Sequence, residues 1–460
     1  MKHPGIYDLA GLGIGPFNLG LAALSHGIKD LDTVYFDQHE QFDWHKGMML
    51  PGTTLQVPFY ADLVTLADPC NRFSFMAFLK ATGRLFHFAI KENNFITRRE
   101  YDLYCKWVAD QLPNLRFNHR VQSVAFNDSM SCYEVEVYDL HRAIRKIIYA
   151  KRLVIGVGTV PVIPEFARKL QSELLFHSSD YLFNKKSILK SNSVAIIGSG
   201  QSAAEIFHDL LPELQHFEGG LNWFTRSERF FPMEYSKLSL EMTSPDYIEY
   251  FYNLPPAQKE ELLSRQKMLY KGINFELIGA IYDYLYELSI DSPQLEAGLF
   301  TNCELKNICQ HRSGKYLLKF FHNEMQQHFN HVTDAVILAT SYHSIVPGFL
   351  APVSRRIRWN AKGQYNVHRN YSVDHNAKEI FVQNAELHTH GFNAPDLGMG
   401  AYRNSIILNE ILGYEHFKIE KNIAFQTFGI PKKHNLSRKQ EALITGISES
   451  FTTLQKSHTT

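Results

Sequence analysis

An α/β fold with two Rossmann-like, dinucleotide-binding domains is predicted by three features of the 460-residue sequence. The first is Gly11-Leu-Gly13-Ile-Gly15-Pro16-Phe17-Asn18, directly after an apolar strand at residues 6–10. The second is Gly198-Ser-Gly200-Gln-Ser202-Ala203, directly after another at Val194–Ile197. The third is a helical pattern following each. In such a unit the first glycine allows the tight turn, and the second lets the backbone approach a pyrophosphate. The helix N-terminus then offers free N–H groups and its positive dipole end. One such signature is weak; two, each framed by strand and helix, are strong.

The elements follow in order. Residues 16–26 read as the first cradle's helix, with Pro16 in place of the third glycine. Proline suits the first helical turn, where its missing N–H is not needed. Thr33–Phe36 reads as the next strand and ends at Asp37, where such a unit places its ribose-binding acid; a solvated strand-end aspartate is the alternative. Residues 99–112 look like an amphipathic helix, and residues 121–126 and 133–138 alternate like paired strands. A strand at 150–156 closes on a Gly/Pro-rich segment reaching Pro161, a plausible hinge. The second unit's next strand, 221–225, ends at Arg226. An arginine there, in place of the acid that binds NAD, suits a 2′-phosphate and favours NADPH; a surface arginine is the alternative. Helices are expected at 244–253, 256–270 and 275–288, then a strand at 317–322. The strand 334–340 is expected to return to the first domain. Residues 391–412 read as a loop becoming a helix, and the polar tail after Pro431 as flexible.

Composition narrows the class. The residues are 45% hydrophobic and 20% charged, enough for a large core, and the formal net charge is zero. Nothing therefore points to nucleic acid or an anionic membrane. Five cysteines without C-x-x-C spacing suit a reducing compartment and no metal or redox pair. Of 22 histidines, His388 and His390 are the closest pair, too little for a metal site. No apolar run approaches the roughly 20 residues of a membrane span, and an early strand leaves no room for a signal peptide. A cytoplasmic location is expected.

Four motifs, in order, resemble the flavin-dependent N-hydroxylating monooxygenases of siderophore biosynthesis. They are Gly11-x-Gly13-x-Gly15-Pro16-x-Asn18-Leu19, Phe42-x-Trp44-His45-x-Gly47-Met48-x-Leu50, Leu55-Gln56-Val-Pro58-Phe59 with Asp62-Leu-Val-Thr65, and Asp334-x3-Leu338-Ala339-Thr340-Ser341-Tyr342. The resemblance covers roughly residues 6–430, with Ser341 where the family has glycine. It implies FAD, NADPH and O2 hydroxylating a primary amine through a flavin C4a-hydroperoxide, and a homo-oligomer, a tetramer. Gly11, Gly13, Gly15, Pro16, Asn18 and Asp37 would serve FAD, with Trp44, His45 and Gln56 along the flavin. Gly198, Gly200, Ser202, Arg226 and Tyr270 would hold NADPH. Thr340 and Tyr342 belong to the cofactor motif, and Leu397, Gly398 and Met399 would close over flavin and substrate. No protein residue is needed as nucleophile or general base. The domains are then 1–170 with 335–430 for FAD, 171–240 for NADPH, 241–334 for the rest of the NADPH domain with a substrate-covering insertion, and 431–460 as tail.

Two positions speak to the amine. Amino-acid hydroxylases of this family carry a carboxylate-binding lysine where this chain has Ala61, and a polar asparagine where it has Ile248. A carboxylate left unpaired in a partly buried site costs about 2–5 kcal/mol. A decarboxylated amine is therefore expected: putrescine or cadaverine, with histamine a third. Gln56 would lie beside it. Glu241, Asp246 and Glu249 are candidates for its distal ammonium; exposed helix carboxylates are the alternative reading. Lysine or ornithine side-chain hydroxylation is the competing function.

Overall fold

The computed structural model describes residues 5–291 and 294–431. The expected flexible tail lies, after Pro431, outside the described residues. Two parallel sheets form the frame. The first runs in spatial order Ile380–Val382, Leu153–Ile155, Leu9–Leu12, Thr33–Phe36, Leu115–Arg116. Its central strands are buried throughout, as strands covered on both faces must be. The helices Pro16–Ser25 and Arg98–Ala109 cover one face. An antiparallel meander of His119–Asn127, Cys132–Asp139 and Ile144–Ala150 covers the other. Val121 pairs with Val137 and Phe126 with Tyr133.

The second sheet has the order Leu175–His177, Ala335–Leu338, Val194–Ile197, Leu221–Phe224, Ala297–Phe300. The helices Gln201–Leu210 and Phe275–Asp291 pack on one face. A three-stranded sheet of Cys303–Gln310, Tyr316–His322 and Gln327–Thr333 packs on the other. Between them the helices Pro245–Tyr252 and Pro256–Arg265 form an insertion. Its Tyr247 and Phe251 pack with Phe392 of the first half.

Four elements differ from expectation. The strand at 6–10 is two: Ile6–Tyr7 pairs with Ile144–Ala150, and Leu9–Leu12 lies in the parallel sheet. The strand at 150–156 is two strands: Ile144–Ala150 ends in the meander, and Leu153–Ile155 begins the parallel sheet. The helix at 256–270 ends at Arg265 and resumes as Met268–Lys271. Ala335–Leu338 lies inside the second sheet, beside Val194–Ile197, not in the first. The return to the first half comes one step later, where Tyr342–Ser344 pairs antiparallel with Thr159–Pro161. The halves are thus joined by two strands side by side.

Candidate active site

At the first cradle Gly13 has φ +93°, and a Cβ there would strike the Gly156 carbonyl. Gly15 caps the ten-residue helix Pro16–Ser25 with no side chain on its N–H groups, and a Cβ on Gly15 would meet nothing within 4 Å. The helix end therefore opens onto free space that can admit phosphate. Pro16 is the first helical residue. The structure places Asn18 behind this loop rather than in it. Asn18 is fully buried; its Nδ2 donates to the Gly13 carbonyl at 2.8 Å, and its Oδ1 accepts from Gln383 at 2.7 Å. It shapes the cradle and offers no free atom toward a ligand's phosphates. Asp37 accepts the Ile14 N–H at 2.7 Å through Oδ2 and the His39 N–H at 2.9 Å through Oδ1. Its carboxylate so stands directly over the turn.

At the second cradle Gly198 has φ +154°, and a Cβ there would strike the Ala339 carbonyl. Gly200 caps the helix Gln201–Leu210, again without a side-chain cap, and Ser202 lies half-buried in its first turn. Arg226 follows the strand Leu221–Phe224, exposed, with no acidic partner within ion-pair distance among the described residues. That suits an anionic ligand.

Between the cradles runs a cleft. The Trp44 ring packs on Tyr101 at 5.1 Å and on His45 at 4.7 Å. His45 has φ +52° at the turn into Lys46–Met48, and solvent reaches its ring. Crowding by protein, and then the Arg98 guanidinium, depress its pKa to about 4. Tyr342 lies 6.3 Å from His45 and 5.0 Å from His177. Thr340 donates to the Val162 carbonyl at 2.5 Å, holding the crossing strands together. Gln56, on Thr54–Pro58, has a buried Nε2 with no partner among the described residues. An amide N–H left so is costly unless a ligand accepts from it.

One cross-domain contact was not foreseen. Arg98 donates two 2.7 Å bonds to Glu205 of the second cradle's helix and a third to the Met48 carbonyl. Burial pushes the Glu205 carboxyl up, and the Arg98 charge pulls it back. The sequence signal was Glu205 itself, a charge inside the apolar run Ala203 to Phe207. Arg98 is thereby fixed at the junction by an ion pair, and its charge is still felt at His45.

The substrate end also differs from expectation. A Cβ on Gly398 would lie 3.3 Å from the Ala61 methyl and 3.0 Å from an Asp396 carboxylate oxygen. Ala61 and Asp396 thus approach the same point beside Gly398, too closely for a side chain to stand between them. Asp396 accepts the Met399 N–H at 3.2 Å. No cation lies within ion-pair distance of it among the described residues; Arg403 is held by Glu386 at 2.9 Å. Burial raises its pKa, and the backbone N–H groups of Met399 and Gly398 oppose this. Its charge, with that of Glu276, in turn helps push up the Tyr235 hydroxyl, after burial.

The other expected substrate residues are elsewhere. Ile248 is buried on the helix Pro245–Tyr252. Glu249 pairs with Arg369 at 2.8 Å. Asp246 accepts the N–H groups of Asn422, Ile423 and Ala424, and Glu241 those of Phe425 and Gln426. Asp246 and Glu241 thus staple residues 422–426, and Glu249 is held by Arg369 and Asn253. The half-buried Tyr270 ring stacks on Phe392 of the first half at 6.0 Å. His388 Nε2 donates to the Tyr365 carbonyl and His390 stacks on Tyr371, so each is engaged separately.

Residues 5–344 match the family described as L-lysine 6-monooxygenase/L-ornithine 5-monooxygenase. The chain belongs to this family. It is 46% identical to a putrescine N-hydroxylase of Shewanella oneidensis, over 92% of this chain and 84% of that protein. It is 44% identical to the alcaligin biosynthesis enzyme of Bordetella pertussis, over 95% of each. The crystal structure of FAD-bound DfoA, the cadaverine monooxygenase of desferrioxamine biosynthesis in Erwinia amylovora, superimposes with a TM-score of 0.91 at 48% identity, covering 93% of this chain and 99% of that one. Relatives named as lysine and ornithine monooxygenases are more distant, at 29% and 30% identity. The family's glycine cradles and the Gln56 amide without a partner together fit two bound dinucleotides. No described helix is long and apolar enough to cross a membrane.

Proposed function

We propose that this enzyme uses FAD and NADPH to N-hydroxylate a diamine, putrescine or cadaverine, for hydroxamate siderophore biosynthesis. The observation that supports it is Asp396, a carboxylate with no cation within ion-pair distance among the described residues, close to Ala61 beside Gly398. Where amino-acid hydroxylases of the family offer a cation to a carboxylate, this site offers an anion and no cation. That suits a distal ammonium and repels a carboxylate.

FAD, reduced by NADPH, supplies the activated oxygen when bound. The protein's residues do the rest. Gly11, Gly13 and Gly15 with the Pro16 helix end hold the FAD phosphates, behind which Asn18 fixes the turn. Asp37 faces the ribose, and Gln56 Nε2 donates to the flavin or the amine. Gly198, Gly200, Ser202 and Arg226 hold NADPH. Leu397 and Met399 cover the reacting end and exclude water. The nitrogen to be hydroxylated must be neutral, whereas a free alkylammonium has a pKa near about 10.4. A low-dielectric cleft assists its deprotonation. With its pKa at about 4, His45 is uncharged at neutral pH and does not oppose entry of a dication. A homo-tetramer in the cytoplasm belongs to the same reading, which family resemblance supports; light scattering on the purified protein tests the tetramer.

Hydroxylamine formation with FAD, NADPH and O2 across putrescine, cadaverine, histamine, ornithine and lysine tests the function. Product from the carboxylate-free amines alone supports it. Product mainly from ornithine or lysine refutes it.

A further inference from the structure

A group of cations lies between the second cradle and the insertion, and the glycine signature does not account for them. The short helix Met268–Lys271 and the residues after it run along residues 231–234. Met233 donates to the Ile273 carbonyl at 2.7 Å, Ile273 to Phe231 at 2.9 Å, and Glu234 to Met268 at 3.2 Å. Gly272 permits this approach, because a Cβ there would lie 2.5 Å from the Met233 backbone. The same segment is tied to the cradle. The Asn274 N–H donates to Gln201 Oε1 at 2.8 Å, and a Cβ on Gly200 would lie 3.4 Å from the Lys271 carbonyl. Lys271 is therefore anchored by its backbone at the cradle mouth.

Lys267 lies one turn back, and Arg226 stands at the end of the adjoining strand. Partial covering of the ammonium by neighbouring protein, and then the Lys267 and Arg226 charges, push the Lys271 pKa down although the residue lies at the surface. None of the three has an acidic partner within ion-pair distance among the described residues. The Lys271 ammonium lies 5.3 Å from the Tyr270 ring centroid, a weak compensation; three like charges without a carboxylate partner at one mouth stay unfavourable until an anion joins them.

We propose that Lys271, assisted by Lys267, joins Arg226 in holding the 2′-phosphate of NADPH, so that the insertion itself contributes to the coenzyme site. The inference rests on the reading that the second cradle holds NADPH. It has a mechanical consequence. The phosphate pins the insertion to the cradle, so coenzyme retention and coverage of the cleft are coupled.

Calorimetric titration of FAD-loaded enzyme with NADP+, NAD+ and 2′,5′-ADP tests it. Lys271→Met should weaken NADP+ and 2′,5′-ADP about ten- to hundredfold, the range for a lost charge-assisted hydrogen bond. NAD+ affinity should hold, and Lys271→Arg should restore most of the loss. Arg226→Met, measured alongside, separates the two readings. If Arg226→Met loses NADP+ and Lys271→Met does not, the cradle stands and the role of the insertion is overturned. If neither variant loses it, the coenzyme reading itself falls. Equal weakening of NADP+ and NAD+ in Lys271→Met would put the lysine on the pyrophosphate and overturn the assignment. Lys271 is exposed, so an unchanged flavin spectrum and thermal midpoint are expected.

Discussion

Asp396→Asn should remove the charge offered to the distal ammonium while keeping a carbonyl oxygen for the Met399 N–H, now bonded at 3.2 Å. The size of the effect follows from the surroundings. An exposed ion pair is worth about 0–1 kcal/mol. A pair in a partly desolvated site, such as the half-buried surroundings of Asp396, reaches about 2–4 kcal/mol. That is roughly a 30- to 1000-fold loss in kcat/KM for putrescine. The ammonium contact lies away from the reacting nitrogen and is equal in ground and transition states, so the loss should fall on KM. The assay is steady-state hydroxylamine formation with putrescine and with n-butylamine, which lacks the distal charge. Butylamine turnover should be unchanged. Equal losses for both amines, or a fall in kcat at constant KM, would refute the reasoning. Ala61→Lys, by setting a cation beside Asp396, should also raise the putrescine KM.

Three further outcomes are expected. Ser341 sits at φ +75°, where its family has glycine, so the exchange that looks tolerable in sequence carries strain; Ser341→Gly should raise stability by about 0.5–1 kcal/mol, read as the urea midpoint. Glu205→Gln leaves Arg98 half-paired at the domain junction and should cost about 3 kcal/mol or more, and Arg98→Met in the same chain should recover part of it; a loss below about 1 kcal/mol would mean the junction does not depend on the pair. Burial depresses buried His177 to about 4. The unfolded chain takes up this proton near pH 6.5 and the folded one does not, so the stability is present above about 6.5 and is lost as pH falls toward 4. At most it is about 3 kcal/mol. His177→Gln should flatten that part of the acid-stability curve.

The cradles were legible because their constraint is local. Gly13 must adopt φ +93° whatever surrounds it, and Pro16 suits the first helical turn in any context. The strand Ala335–Leu338 was legible as a strand but not as a member of its sheet. An apolar run of four buried residues fits any parallel sheet, and only the pairing with Val194–Ile197 decides. Ala61 and Ile248 were readable only through the family pattern, because a buried position such as either looks the same beside a substrate or inside a core. Asp396 reads in sequence as a loop aspartate before a helix. Its meaning depends on Gly398, which lets it and Ala61 meet. The Arg98–Glu205 pair joins residues far apart in the chain, and neither side announces the other.

The central claim is that this site selects an ammonium over a carboxylate at its distal end. Internal competition tests it most directly: equal putrescine, cadaverine, ornithine and lysine in one reaction, with each hydroxylated product quantified by mass spectrometry. The account predicts hydroxylated diamine, with the amino-acid products at least about a hundredfold lower. Comparable or greater hydroxylation of ornithine or lysine would contradict it.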